Sequence, residues 1–305
     1  MIFLAGIPRS GSTLLASLIN QRPDALASHT SNLCNTMGGA CKAWEQNLTT
    51  QASGASCKDL VRLLRSMAAN RYDTDKLVFD KSRGWSNPTI MNTMKMVQGD
   101  VKIVATVRPV SECLASFAKI ANVEQKHMKA FCKSSQLASR LFDDYYSLKA
   151  GFETVPDNFL FIEYDDLVAN PQEQLDRVAD FTGLSHFNHD PKNVPESGEK
   201  DEAWGIENLH KVRPVVAKAE YSSKDILGEE LFDFYSGGEF WNDKPEPVRE
   251  KKPIQFQHDA LMAGDFKKSK RLAYENLVNF PDNPDICFNA GWAKLSDGVV
   301  DEGYA

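Results

Sequence analysis

Four short runs of apolar residues, at 2–6, 77–80, 101–107 and 159–163, stand out from stretches in which apolar and polar positions follow one another with helical spacing. Each run is rich in Val, Ile, Leu or Phe and does not alternate, the pattern of a strand covered on both faces. Helical patterns fill the gaps at 12–20, 57–70, 87–97, 111–121, 127–150 and 171–182. Asn170 and Pro171 open the last of these, since proline is tolerated at the first helical position, and Gly183 closes it. Strands that alternate with helices predict an α/β fold, a parallel sheet flanked by helices. The run 186–205, HFNHDPKNVPESGEKDEAWG, is polar and rich in Pro, Gly and charge, and reads as a loop. A second break at 242–253, NDKPEPVREKKP, has the composition of a linker. The expected organisation is an α/β domain over 1–245 and a separate segment over 254–305.

The first strand runs directly into IPRSGST, where Gly6 and Gly11 have the spacing of the GxxxxG half of a phosphate-binding loop. Such a loop turns backbone N–H groups and a helix N-terminus toward an oxyanion. The nucleotide triphosphatase version adds Lys after the second glycine to reach the β- and γ-phosphates. Here Ser12 stands in that place, and the nearby cation is Arg9, inside the loop. The loop is therefore suited to an anionic group and poorly built for ATP or GTP hydrolysis. A helix N-cap is the alternative role for the same Ser and Thr residues.

The segment 8–24, PRSGSTLLASLINQRPD, resembles the 5′-phosphosulfate-binding loop of PAPS-dependent sulfotransferases, with the PRSGTTLL pattern of the protein-tyrosine and carbohydrate branches. A second match lies in 101–116, VKIVATVRPVSECLAS, where a β-branched run ends in Arg108 and Ser116 follows eight residues later. The resemblance implies that Arg108 and Ser116 hold the 3′-phosphate of PAPS, and the guanidinium fork suits a phosphate. A third match, FLFIEYDDLVANPQEQLDRVADFTGL at 159–184, is similar to the family's YEDLxxxPxxxL strand and helix, which is scaffold. Together these imply PAPS as donor and its desulfated form, PAP, as product. Ser10, Gly11, Ser12 and Thr13 would then donate to the 5′-phosphosulfate through amides and hydroxyls. The late cations Lys211 and Arg213 would reach the nucleotide, unless they are ordinary basic residues of a solvated loop.

Beyond the linker, Leu261–Asp265 and Leu295–Val299 have similar sequences 34 residues apart, and FPDNP at 280–284 lies between them. This stretch resembles one tetratricopeptide repeat and the start of another. So few repeats cannot bury a continuous core alone. The chain is accordingly expected to be a piece of a longer protein, with a protein partner for the helical repeat.

Sulfuryl transfer passes through a loose in-line state with charge growing on the bridging oxygen of the leaving phosphate, so catalysis is positioning plus cations. On the family pattern Arg9 stabilises that leaving group. Lys81, at the C-terminal end of a predicted strand where doubly wound sheets place ligands, would touch the transferring group. The alternative is a structural ion pair of Asp80 with Lys81 or Arg83. The general base is less clear, because the tyrosine and glycan branches carry a Glu where this chain reads ASHTS at 27–31, and the cytosolic branch a His where it has Arg83. His29 is the nearest group whose pKa suits the task, with Asp80 or Glu45 as substitutes. Trp44, Trp85 and Trp204 flank the proposed site in sequence and are available to stack on adenine or a sugar, or simply to pack.

The 305 residues are 42% hydrophobic and 25% charged, an ordinary globular composition, and carry a net charge of −7. That balance argues against general nucleic-acid or membrane-surface binding without excluding one local basic pocket. No cleavable leader and no long apolar run appear, and six cysteines show no CxxC or zinc spacing, so a cytoplasmic protein with free thiols is expected, a pair among Cys34, Cys41 and Cys57 remaining open. No metal is implied, as no carboxylate cluster has ligand spacing. The leading reading is a sulfotransferase acting on a hydroxyl of a glycan, peptide or small molecule. Its rivals are a drifted P-loop kinase or NTPase, and a repeat-type binding protein attached to an inactive α/β domain.

Overall fold

A computed structural model describes residues 1–242 and, beyond them, Leu272 alone. Apart from that residue, the repeat-like segment at 254–305 lies outside the described residues, as does Cys287. The strands are β1 (Ile2–Gly6), β2 (Ala25–Ala27), β3 (Leu77–Lys81), β4 (Ile103–Val107) and β5 (Phe159–Glu163). The helices are α1 (Ser12–Ile19), α2 (Leu33–Gln46), α3 (Leu48–Ala52), α4 (Cys57–Asn70), α5 (Pro88–Gln98), α6 (Val110–Ile120), α7 (Met128–Ser134), α8 (Gln136–Thr154), α9 (Tyr164–Ala169), α10 (Pro171–Thr182), α11 (Ser223–Leu227) and α12 (Glu229–Tyr235).

The strands form one five-stranded sheet in the order β2-β3-β1-β4-β5, parallel at every pairing, as the apolar runs predict. Central β1 is buried along its whole length. Because side chains alternate across a strand, Ile2 and Leu4 join the cluster that α1 and α10 build with Leu15, Leu18, Ile19, Leu175 and Val178. Phe3 faces the other way and meets Trp85, with ring centroids 4.5 Å apart. The order reverses at β1, since β3 lies on one side and β4 on the other, and this is where open α/β sheets open a crevice beyond their C-terminal strand ends.

The described residues fall into two compact units. The first comprises Met1–Cys34, Tyr72–Met91 and the chain from Asp100 onward, and holds the whole sheet. The second, Asn35–Arg71 with Asn92–Gly99, is helical. Within it Ser56 and Asp59 form a capping box that starts α4, Leu60 and Leu64 are buried, and Arg65 Nε donates to the Val97 carbonyl at 2.8 Å. Asn47 spends its side-chain oxygen on the amides of Thr49 and Thr50, capping α3.

Two differences from the sequence pattern have local causes. The helix expected over 127–150 is broken at Ser135, whose extended backbone and hydroxyl cap α8 through the Ala138 amide. β2 is only three residues long, below the length at which an apolar run is distinctive. The five cysteines among the described residues are free, and no helix among those residues is long and apolar enough to cross a membrane.

Candidate active site

The loop after β1 is held from below by its own serine. Ser10 is fully buried, and its hydroxyl sits within 2.7 Å of the Ile7 carbonyl, 2.8 Å of the Thr106 carbonyl and 2.7 Å of the Thr106 hydroxyl, so the side chain locks the loop to β4. Gly6 adopts φ +127°, and a Cβ there would lie 2.3 Å from the Thr106 carbonyl. Gly11 takes φ +91° at the N-cap of α1, where a Cβ would meet the Tyr164 ring at 2.8 Å. No side chain caps α1, so neither Ser12 nor Thr13 takes the capping role, and the first-turn amides keep their donors for another acceptor.

Arg9, at φ +66°, reaches sideways from the loop. Its Nε donates to the Ser116 hydroxyl at 3.1 Å and its Nη1 to the Leu209 carbonyl at 2.5 Å. Burial holds the guanidinium below its ordinary pKa. On the β4 side, Arg108 Nη2 donates to Glu112 at 2.8 Å, and Glu112 also accepts from Ser223 at 2.7 Å. The Arg108 guanidinium lies 4.2 Å from the Tyr164 ring centroid, and its buried Nε has no hydrogen-bond partner. Ser116, one turn past Glu112 on α6, completes this flank.

On the β3 side, Lys81 ends its strand with its ammonium 2.9 Å from the Thr13 hydroxyl. It is buried, and desolvation, aided by Arg83 and Arg9 and opposed by Glu199, brings it down to about 7. Asp80 beside it makes no ion pair with Lys81 or Arg83. Its carboxylate points to the other face and accepts from Trp85 Nε1 at 2.7 Å and from the hydroxyls of Ser31 and Tyr72 at 2.6 Å each.

Both flanks border one cavity of about 670 Å³, within the range of small-molecule sites. Arg9, Gly11, Ser12, Thr13, Lys81, Arg108 and Ser116 all line it, and so do the exposed Lys211 and Arg213 of the segment 207–217. The same segment supplies His210, which is 7% exposed and also lines the cavity. Its Nδ1 lies 2.7 Å from Asp201 Oδ1 while its backbone N–H donates to Asp201 Oδ2 at 2.9 Å. This fixes the tautomer with Nδ1–H on the carboxylate and leaves Nε2 as the basic nitrogen. Burial lowers the His210 pKa, and the Asp201 bond opposes that shift.

His29 is placed differently. Its Nε2 bonds the Ser17 hydroxyl at 2.9 Å inside α1, and it is not among the residues that line the cavity. Glu45 and Trp44 belong to the second unit, Trp85 is core, and Trp204 is half-exposed, 5.7 Å from the His210 ring. Sequence reasoning missed His210, Asp201, Glu112 and Tyr164. The acid at i+4 from Arg108 was open to detection as a helical pair, whereas Asp201 and His210 lie nine residues apart in irregular chain, where no periodicity marks them.

A family model described as the sulfotransferase family matches residues 2–189. The chain belongs to the sulfotransferase family. The match spans the loop, Lys81, Arg108 and Ser116, and stops before His210. Solved structures similar to this sulfotransferase-family chain include the sulfotransferase domain of the Synechococcus PCC 7002 olefin synthase, at 19% identity and TM-score 0.46, covering 77% of this chain and 94% of that one. The sulfotransferase domain from the curacin biosynthetic pathway gives 18% identity and TM-score 0.44 over 88% and 97% of the two chains. A sulfotransferase from Alicyclobacillus acidocaldarius gives 14% and 0.40 over 65% and 85%. No curated protein matches the chain.

Proposed function

We propose that the protein transfers a sulfuryl group from PAPS to an acceptor hydroxyl by in-line displacement. The observation that carries this reading is the bond from Arg9 to Ser116, which ties the glycine loop to the Arg108 flank so that two anion-holding groups share one cavity. A nucleotide phosphorylated at both 3′ and 5′ positions needs such a pair. The uncapped amides of α1, the Ser12 and Thr13 hydroxyls and the unpartnered Arg108 Nε make a donor set that fits phosphate oxygens, and Glu112 beside it is paired with Arg108.

In this reading the bound donor supplies an activated sulfur–oxygen bond. Arg108 and Ser116 hold the 3′-phosphate, with the ring of Tyr164 backing the guanidinium. The α1 amides with Ser10, Gly11, Ser12 and Thr13 hold the 5′ end, Ser10 through its backbone alone. Arg9 and Lys81 neutralise the charge that builds on the bridging oxygen as the bond from sulfur to that oxygen breaks. Lys211 and Arg213 close the mouth over the nucleotide. His210 Nε2 accepts the proton of the acceptor hydroxyl as its oxygen bonds to sulfur, and Asp201 stabilises the imidazolium. His29, the second reading for the base, is disfavoured by its bond to Ser17.

Thermal denaturation tests the donor assignment. PAP at 100 times its Kd is expected to add about 2.7 kcal/mol of stability, an upward Tm shift of roughly 5–10 °C, while Mg-ATP at the same concentration shifts it by less than a quarter of that. Equal or reversed shifts would remove the proposal and favour a nucleotide kinase or NTPase. If PAP binds but sulfate from PAPS reaches no hydroxyl acceptor, the inactive-domain reading gains instead.

A further inference from the structure

Resting on that reading, we infer that Arg83 anchors a carboxylate on the acceptor, so that the physiological acceptor is a hydroxy acid rather than a neutral alcohol. The wall of the cavity bears Arg9, Lys81, Arg83, Arg108 and three further Lys or Arg residues and one carboxylate, Glu207, although the whole chain carries a net charge of −7. The nucleotide accounts for most of that positive charge, because Arg9, Lys81 and Arg108 surround the positions for its phosphates. Arg83 is left over. It follows β3, and the sheet order puts β1 and its loop between Arg83 and the Arg108 flank, so Arg83 borders the cavity on the side of Lys81, away from the 3′-phosphate groups.

Its own protein partner cannot satisfy it. Arg83 Nε approaches Asp144 at 3.5 Å, too long for a hydrogen bond, and neither Nη1 nor Nη2 has a partner among the described residues. That leaves the two terminal nitrogens of a planar fork, 32% exposed at a cavity wall, available to a second carboxylate in the bidentate arrangement that guanidinium favours. Burial raises the Asp144 pKa to about 6 against the pull of Arg83 and Arg140, so at neutral pH it is mostly ionised and meets Arg83 through Nε alone, leaving the terminal nitrogens unbonded. An uncharged acceptor would leave the terminal nitrogens of this cation without an acceptor in a site already crowded with positive charge, which is unfavourable by the same logic that makes the acid favourable.

The test uses the full 305-residue chain and three pairs of acceptors that differ mainly in charge: 4-hydroxyphenylacetate with its amide, 3-hydroxyhexanoate with its amide, and glucuronate with glucose. Each compound is titrated into PAP-saturated protein by calorimetry and assayed for sulfation with PAPS. At least one acid is expected to bind, and to react, with Kd and KM values tenfold or more better than its neutral twin. Arg83→Gln should bring that ratio to near one with PAP affinity unchanged within twofold, and Arg83→Lys should restore part of it. A panel with no acid preference, or a preference that persists in Arg83→Gln, overturns the inference. Loss of PAP binding in the unmodified protein would overturn the donor assignment instead, and it is read in a separate titration. If Arg83→Gln fails to fold, the Arg83→Lys ratio and the charge pairs with unmodified protein decide the matter.

Discussion

On the β4 flank of the central strand, Arg108, Glu112 and Ser116 stand four residues apart along one stretch of chain, whereas on the β3 flank Lys81, Thr13, Asp201 and His210 arrive from separate parts of it. In the first arrangement Glu112 and Ser116 lie one turn apart on α6 and Arg108 stands just before it, so a short stretch of chain sets their spacing wherever the helix forms. The second depends on how an irregular segment settles over the sheet. The flank proposed to hold the nucleotide is thus written into a local pattern, and the flank proposed to move the proton is assembled by tertiary contacts.

Substitutions on the two flanks break the comparison in turn. His210→Ala is expected to have the largest effect, a fall in kcat of about 10²- to 10⁴-fold, the range for removing a positioned general base, with PAP affinity retained. Asp201→Asn should lower kcat in the same direction by a smaller factor, and steady-state kinetics with saturating PAPS will read both. A drop of similar size in His29→Ala, with His210→Ala near normal, would return the base to α1's side of the sheet.

Arg108→Ala should act on binding. It leaves Glu112 without its cation and removes the buried guanidinium, a class of change worth about 2–5 kcal/mol, so the PAP Kd should rise by about 100-fold or more, and the thermal shift should vanish. A Kd within threefold of normal would mean that the β4 flank does not touch the nucleotide.

The smallest effect is a pH slope that only the β3 flank should show. Lys81 is held at about 7, well under the ordinary 10.5, so above pH 7 it is largely neutral in the free protein. A phosphate or sulfuryl oxygen favours the ammonium and draws a proton from solution on binding. PAP affinity should therefore weaken as pH rises from 7 toward 9, by at most tenfold per unit, and calorimetry in buffers of different ionisation enthalpy should detect proton uptake. Lys81→Met should flatten the slope, and a slope that survives would assign the proton elsewhere.

The sheet, its parallel sense and the loop after β1 were legible because each depends on a short apolar run or a fixed glycine spacing. Arg108 and Ser116 were reached through the resemblance to sulfotransferases, and both line the cavity. The loss came where side-chain choice is decided by packing: Asp80 reads as a partner for Lys81 in sequence, yet it is turned to the opposite face and held by Trp85, Tyr72 and Ser31. His29 reads as a lone titratable group near the site, and its ring is spent on Ser17. Strand alternation puts adjacent residues such as Asp80 and Lys81 on opposite faces, but nothing in the period says which of the two faces the cavity.

Gly6 carries a warning for anyone comparing relatives of this chain. Its missing side chain is required by the carbonyl of Thr106 on the adjoining strand, not by anything a ligand does. A homologue that had lost all turnover would still be obliged to keep that glycine to close its sheet. Persistence of the motif's first position is consequently a record of architecture, and only the groups that project past the loop report on whether chemistry has been retained.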